Sequence, residues 1–381
     1  MNSRVGKLGI GISMFLLLAA CGSKQAAETS TGNAPAAAPA EEKVLNLYIW
    51  NDYLADDTIA NFEKATGIKV TVSNYSSNEE LDGKLAPGHS GYDVVVPSAS
   101  FFGRQIKAGY YQKLDKSLLS NYGNMDPEIL AKLAENDPAN EHAVLHMWGV
   151  TGIGYNVAKV KAAMKDAPVD SWRLVMDPAV AKNLQKCGIA ILDSSSEMFK
   201  MTLAYMGKSP NSQDPADLAA AGETMNKFRP FIRYIDTQRM IGDLANGEIC
   251  AAVGYSGDML QAHDRAIENK TGANIAFVIP KEGTIQWFDS YLVPTDAPHP
   301  KNAHAFINYM LQPEVIAAVT NKVKYANGVT KAAQLVDKAV LENPGIYPPA
   351  DVRQRLTADK SSADETTRTM TRLWTKFSTG R

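Results

Sequence analysis

Catalytic and redox signatures are missing from this 381-residue chain: it has no H-E-x-x-H, no C-x-x-C pair, no P-loop and no G-x-S-x-G. Gly254-Tyr255-Ser256-Gly257 misses the last of these by one residue. The six histidines stand singly, and only His142 and His146 share a helical i, i+4 spacing, with no third ligand evident. Neither a resident metal nor a cofactor is expected, and those two histidines are read as solvated helix or loop residues. Positive charge is not in excess either, with 39 basic against 41 acidic side chains. That balance argues against nucleic acid, whose binding proteins concentrate basic residues. No solenoid-length repeat is present. Long apolar runs are lacking too: the longest, Leu8 to Ala20, is too short to span a bilayer as a helix.

That run has another meaning. Arg4 and Lys7 precede it, giving the n-region and h-region of an export signal over residues 1–20. It ends in Leu18-Ala19-Ala20-Cys21, which resembles the bacterial lipobox, so Cys21 is the expected lipidation site and the new N-terminus. Residues 21–43, rich in Ala, Pro, Ser, Thr, Gly and Glu, cannot bury enough apolar surface to order themselves and are expected to be a flexible tether. Removal of the signal takes two basic residues and no acid, leaving the body slightly more acidic. With Cys21 lipidated, Cys187 and Cys250 remain in an oxidising compartment, either as a disulfide or as two buried thiols.

The body alternates strand and helix signals. Val44 to Trp50 alternates as a strand; Asp56 or Asp57 can cap a helix with Ile59, Ala60 and Phe62 on one face and a stop at Gly67; a strand Ile68–Val72 follows. A helix around Glu79–Leu85 and a strand Tyr92–Val96 complete a β-α-β-α-β unit, which indicates a parallel sheet with helices on both faces. The glycines and rings of Met147 to Asn156 suit a strand crossing between two bodies at close backbone approach. The expected architecture is α/β with two lobes: 44–148 and 286–322 as lobe one, 149–285 and 323–381 as lobe two.

Four separated segments place a ring beside an acidic or small polar side chain: Trp50-Asn51-Asp52-Tyr53, Ser98-Ala99-Ser100-Phe101, Tyr255-Ser256-Gly257-Asp258 and Trp287-Phe288-Asp289. Ring faces attract ammonium groups at about 0.5 to 2 kcal/mol each, and charge-assisted hydrogen bonds add about 1.5 to 3 kcal/mol. Together they suit an organic cation with an apolar middle and charged amino ends. Glu197, Asp258 and Asp289 could instead be read as glycosidase-like paired acids, but each comes with a ring and few amides for sugar hydroxyls. A receptor for anions would call for basic or N-terminal helix groups in the cleft, against these acids.

Trp50-Asn51-Asp52-Tyr53, Tyr92 to Phe101, Thr151 to Asn156, Asp243 to Cys250 and Asn343 to Arg353 together resemble the periplasmic putrescine/spermidine-binding proteins, the substrate-binding components of polyamine ABC importers. The resemblance runs in order along nearly the whole body. It implies the periplasmic binding protein type II fold, two α/β lobes joined by a hinge around a ligand cleft. It implies ligand contacts from Trp50, Asn51, Asp52, Tyr53, Ser98, Phe101, Glu197, Tyr255, Asp258, Trp287, Asp289 and Tyr325, with Asp52 pairing an ammonium. It also places a disulfide at Cys187 and Cys250. The protein so read is a non-enzymatic periplasmic lipoprotein. It is a monomer that meets the membrane through its lipid anchor only and delivers a polyamine to ABC permease subunits; the alternative is a polyamine sensor docking on a signalling partner. Asn51, Tyr255 and Trp287 stand where putrescine binders usually have Ser, Trp and Phe. The larger ring at Trp287 resembles spermidine-preferring members, so putrescine is expected first and spermidine close behind. A longer polyamine would need a further partner such as Asp193, Ser194 or Glu197.

Overall fold

The computed structural model describes residues 41–380. The signal over 1–20, the lipidation at Cys21 and the tether up to residue 40 lie outside the described residues. The folded body begins slightly before the expected end of the tether. Glu41 accepts from the backbone N–H groups of Lys301 and Asn302 at 3.0 and 3.1 Å, and Asn302 Nδ2 donates to Glu42 O at 2.6 Å.

β1 (Val44–Trp50) buries Leu45, Leu47, Tyr48 and Ile49 and lies at the centre of a small parallel sheet. β2 (Lys69–Tyr75) flanks it on one side, with Val44 opposite Lys69 and Trp50 opposite Tyr75, and the short β3 (Val94–Val95) on the other. The intervening helix Thr58–Thr66 ends at Gly67, whose φ of 72° is the left-handed conformation that a glycine adopts without strain. Its Phe62 packs edge-on to Phe306 of the helix Pro300–Met310, which covers this sheet. The next helix, Asn78–Leu85, is capped by Ser77, which accepts from the Glu80 N–H.

Seven strands form the second sheet. The long β4 (Val144–Asn156) organises it, followed in the chain by β5 (Ile189–Ile191), β6 (Ile232–Ile235), β7 (Ala251–Tyr255), β8 (Ile275–Val278), β9 (Thr284–Tyr291) and β10 (Leu356–Ala358). The first half of β4 pairs antiparallel with β9, from Val144 against Tyr291 to Val150 against Gln286. Its second half pairs with β7 and β8. β9 bridges to the small-sheet side through Asp289 with Ser98, and Leu292, just past its end, bridges Val95. The two α/β lobes are therefore joined by β4 and β9, with a third link where Trp148 bridges Ala326. Strand ends Trp50 (β1) and Tyr255 (β7), and the turns after β3, β5 and β6, face one region, as in open α/β sheets that bind at carboxyl strand ends.

Cys187 and Cys250 are bonded, closing a separation of 63 residues. His142 and His146 do not share a helix. His142 Nδ1 lies 2.9 Å from Asp137, and His146, on β4, is fully buried between Tyr53 O at 3.1 Å and the Tyr291 hydroxyl at 2.6 Å. Burial pushes the His146 imidazole down to about 3, so it is a neutral packing group rather than a solvated one.

Candidate functional site

A narrow slot with about 30 Å³ of free volume lies where the two lobes meet. One wall is a row of edge-to-face rings. Trp50 stands 6.2 Å from Tyr255, Tyr255 5.8 Å from Trp287, Trp287 5.1 Å from Tyr325, and Tyr325 5.4 Å from Tyr53, each between centroids and at 71 to 82°. Such pairs add about 0.5 to 1.5 kcal/mol each beyond the area they bury. Two glycines make the row possible. A Cβ at Gly149 would meet the Trp287 ring at 2.5 Å, and one at Gly257 would meet the Tyr325 ring at the same distance. Gly149 lies on β4, and what it admits is a ring rather than a neighbouring backbone; Gly257 lies in the helix Ser256–Glu268.

Three carboxylates face the slot. Asp289, at the centre of the structure on β9, accepts from Ser98 Oγ at 2.5 Å and from the Tyr53 hydroxyl at 2.8 Å. Asp258, in the first turn of the helix Ser256–Glu268, accepts from the Tyr325 hydroxyl at 2.7 Å, and its own N–H donates to that hydroxyl at 3.1 Å. Glu197 accepts from Thr151 Oγ1 at 2.8 Å; it sits in the first turn of the helix Ser195–Tyr205, whose N-cap is Ser194. Burial raises all three. Asp258 is pushed up to about 6 and Asp289 to about 7, each held back in part by its hydroxyl partners. Glu197 is also raised, by burial first and then by the Asp359 charge, while Lys200 and Thr151 oppose the rise. Among the described residues, Asp258 and Asp289 have hydroxyl donors but no cation in hydrogen-bond contact. Acids so placed are in want of positive charge.

Trp50, Asn51, Tyr53, Ser98, Glu197, Tyr255, Asp258, Trp287, Asp289 and Tyr325 all line this one cavity. Trp50 is fixed by its indole N–H donating to Val96 O at 2.9 Å, and Asn51 by its amide nitrogen on Tyr75 O at 3.2 Å. Two residues singled out from the sequence lie elsewhere. Asp52 adopts a φ of 50°, which turns its carboxylate out of the slot to Arg265 Nη2 at 2.9 Å, with the side chain 54% exposed. Its charge is matched by a protein guanidinium, and it does not open a helix, since the next one starts at Thr58. Phe101 is buried in the helix Ala99–Lys107 beneath Arg104, 5.1 Å from its ring centroid, and lines a neighbouring recess. Conversely, Thr237 and Gln238 line the slot and were not singled out. They follow β6 after Asp236, and the Thr237 hydroxyl accepts from the Asp193 N–H at 3.0 Å. The strand-end logic that marked Trp50 applies equally to them.

Two α/β lobes with a ring-lined and acid-lined slot between them define a binding protein of the hinged type. The chain belongs to the bacterial extracellular solute-binding proteins, whose family model matches residues 57–348. It is 49% identical to the putrescine-binding periplasmic protein PotF of Escherichia coli (strain K12) over 344 residues, 90% of this chain and 93% of that one. It is 48% identical to the putrescine-binding periplasmic protein SpuD of Pseudomonas aeruginosa (strain UCBPP-PA14) over 343 residues, 90% and 94% of the two chains. Among solved structures, the spermidine/putrescine ABC transporter substrate-binding protein PotD from Streptococcus pneumoniae superposes with a TM-score of 0.69 at 26% identity, covering 89% of this chain and 99% of that one.

Proposed function

We propose that this protein captures a polyamine, putrescine foremost and spermidine next, and hands it to the permease of an ABC importer without altering it chemically. The observation that carries this reading is the pair of buried acids, Asp258 and Asp289, set beside a row of rings, with no cation of the described residues hydrogen-bonded to either. An alkyl chain tipped with two ammonium groups supplies both missing charges and a stem for the rings to cover. The putrescine-binding relatives, similar over nine tenths of this chain, support the choice. In this reading lobe one comprises 44–148 and 286–322, lobe two 149–285 and 323–381, and the body works as a periplasmic monomer held to a membrane by a lipid on Cys21. Among the described residues no helix is long and apolar enough to cross a membrane.

Thermal-shift screening of putrescine, cadaverine, agmatine, spermidine and spermine tests the reading, because a ligand that binds only the folded form raises the melting temperature. A rise with putrescine is expected. No rise with any polyamine would end the proposal.

A pH dependence accompanies it. Ammonium groups bind the ionised acids, so protons compete with the ligand at Asp289 and Asp258, whose values lie near 7 and 6. Affinity is expected to be greatest above pH 7 and to fall about fivefold between pH 8 and 6.5, with proton release on binding in calorimetry. The empty protein behaves in the opposite sense. Both folded-state values lie above the ~4 of an unfolded Asp, so the stability these groups allow is present at low pH and is lost as pH rises through about 7. A pH-independent affinity would show that these two acids do not meet the ligand's charges.

A further inference from the structure

Beyond Glu197 lies a second, separate recess with only about 10 Å³ of free space. The two compartments are lined by adjoining residues on both walls. Ser98 faces the slot while Ser100 and Phe101 face the recess, and Glu197 faces the slot while Ser195, Ser196 and Lys200 face the recess. A ligand longer than the slot on this side would have to open a way into this space. A protein cation is already there. Lys200, three residues on from Glu197 and therefore on the same helix face, is 3% exposed and ion-paired to Asp359, itself 1% exposed. Its ammonium also donates to Lys360 O at 3.4 Å.

Asp359 reaches the site because β10 adds to the edge of β9, with the Asp359 N–H donating to Gln286 O at 2.9 Å. Only one of its carboxylate oxygens is satisfied by Lys200; the other, Oδ2, is buried with no hydrogen-bond partner among the described residues. The remaining charges of the recess are already engaged. Glu79 accepts from Ser195 Oγ, Ser196 Oγ and the Ser196 N–H at 3.1 to 3.2 Å, and Arg104 pairs with Asp82 at 2.5 Å.

We infer that Lys200 is a specificity-determining residue. Its buried ammonium occupies the place that a third ligand ammonium would take beyond Glu197, so the site accepts a diamine and turns away triamines. The inference rests on the polyamine reading above and deepens it. Charge order explains the effect: with a diamine bound, positive and negative alternate from ligand ammonium to Glu197, Lys200 and Asp359. A third ligand ammonium would instead meet the Lys200 ammonium at close range in a setting where water cannot screen the repulsion. Lys200 removal leaves room and an unmatched Asp359 carboxylate, a partner for the extra ammonium in place of the lost one.

The test is calorimetric titration of putrescine and spermidine into the wild-type protein, Lys200→Ala, and the double variant Lys200→Ser with Asp359→Asn. The wild type is expected to bind putrescine at least tenfold more tightly than spermidine. Lys200→Ala is expected to shift the affinity ratio toward spermidine by tenfold or more. The double variant, which removes the repulsion without leaving Asp359 as a free acid, is expected to shift it in the same direction by a smaller factor. A ratio within twofold of wild type in a folded Lys200 variant overturns the inference, as does a wild type that binds both ligands equally. A wild type that binds neither ligand overturns instead the polyamine reading on which it rests.

Discussion

Asp289→Asn is expected to weaken putrescine binding by about 2 to 5 kcal/mol, roughly 30-fold to several thousandfold. The size follows from where the carboxylate sits. Asp289 is 5% exposed, and both of its oxygens are already oriented by the hydroxyls of Ser98 and Tyr53. Those hydroxyls hold the group in place but supply no charge. An asparagine of the same shape keeps the packing and deprives the ligand's ammonium of its counter-ion in a site from which water is excluded. The empty variant also gives a control that a general loss of structure would not. A buried carboxylate whose protonation is favoured by burial costs stability when ionised, so the unliganded Asn variant is expected to melt no lower than wild type at pH 8. Calorimetry on a normally folded variant that stays within threefold of the wild-type dissociation constant would remove Asp289 from the site. Asp258→Asn, with the hydroxyl of Tyr325 as its partner, is subject to the same argument.

Loss of the Cys187–Cys250 bond is expected to cost about 4 kcal/mol, the chain-entropy value for a loop of this length. The bond fastens the beginnings of two neighbouring parallel strands, β5 and β7, which pair at Ile189 and Ala251. It lies at the opposite strand ends from the slot, so the effect falls on unfolding rather than on ligand contacts. Urea unfolding of the double Cys→Ser variant is expected to give a lower midpoint while putrescine affinity at 25 °C stays near that of wild type. A loss below about 1 kcal/mol would mean that the reduced chain retains enough residual structure to make the bond redundant.

Much of this arrangement was legible in the residues. The alternation of Val44 to Trp50 gave β1, Gly67 gave the end of its helix, and the ring-plus-acid segments came together because each follows the carboxyl end of a strand or lies on a crossing strand. What could not be read was orientation. Asp52 looked like a ligand acid by its place between Asn51 and Tyr53, but its left-handed backbone aims it at Arg265, 213 positions away. Phe101 lies one helical turn beyond Ser98, enough to carry its ring into the adjoining recess. Thr237 and Gln238 have neither ring nor charge, so nothing in their composition marked them. The strand expected over Tyr92–Val96 is confined to Val94–Val95, the two residues that pair in register with Leu47 and Tyr48 of β1 before the chain reaches Pro97. The Lys200–Asp359 pair joins residues 159 apart, and local pattern holds no trace of such a contact.

Two of the five tryptophans, Trp50 and Trp287, form part of the slot wall on opposite sides of Tyr255. Indole emission responds to nearby charge and to exclusion of solvent. The molecule therefore contains its own optical gauge of occupancy, and filling can be followed in real time without attaching a dye.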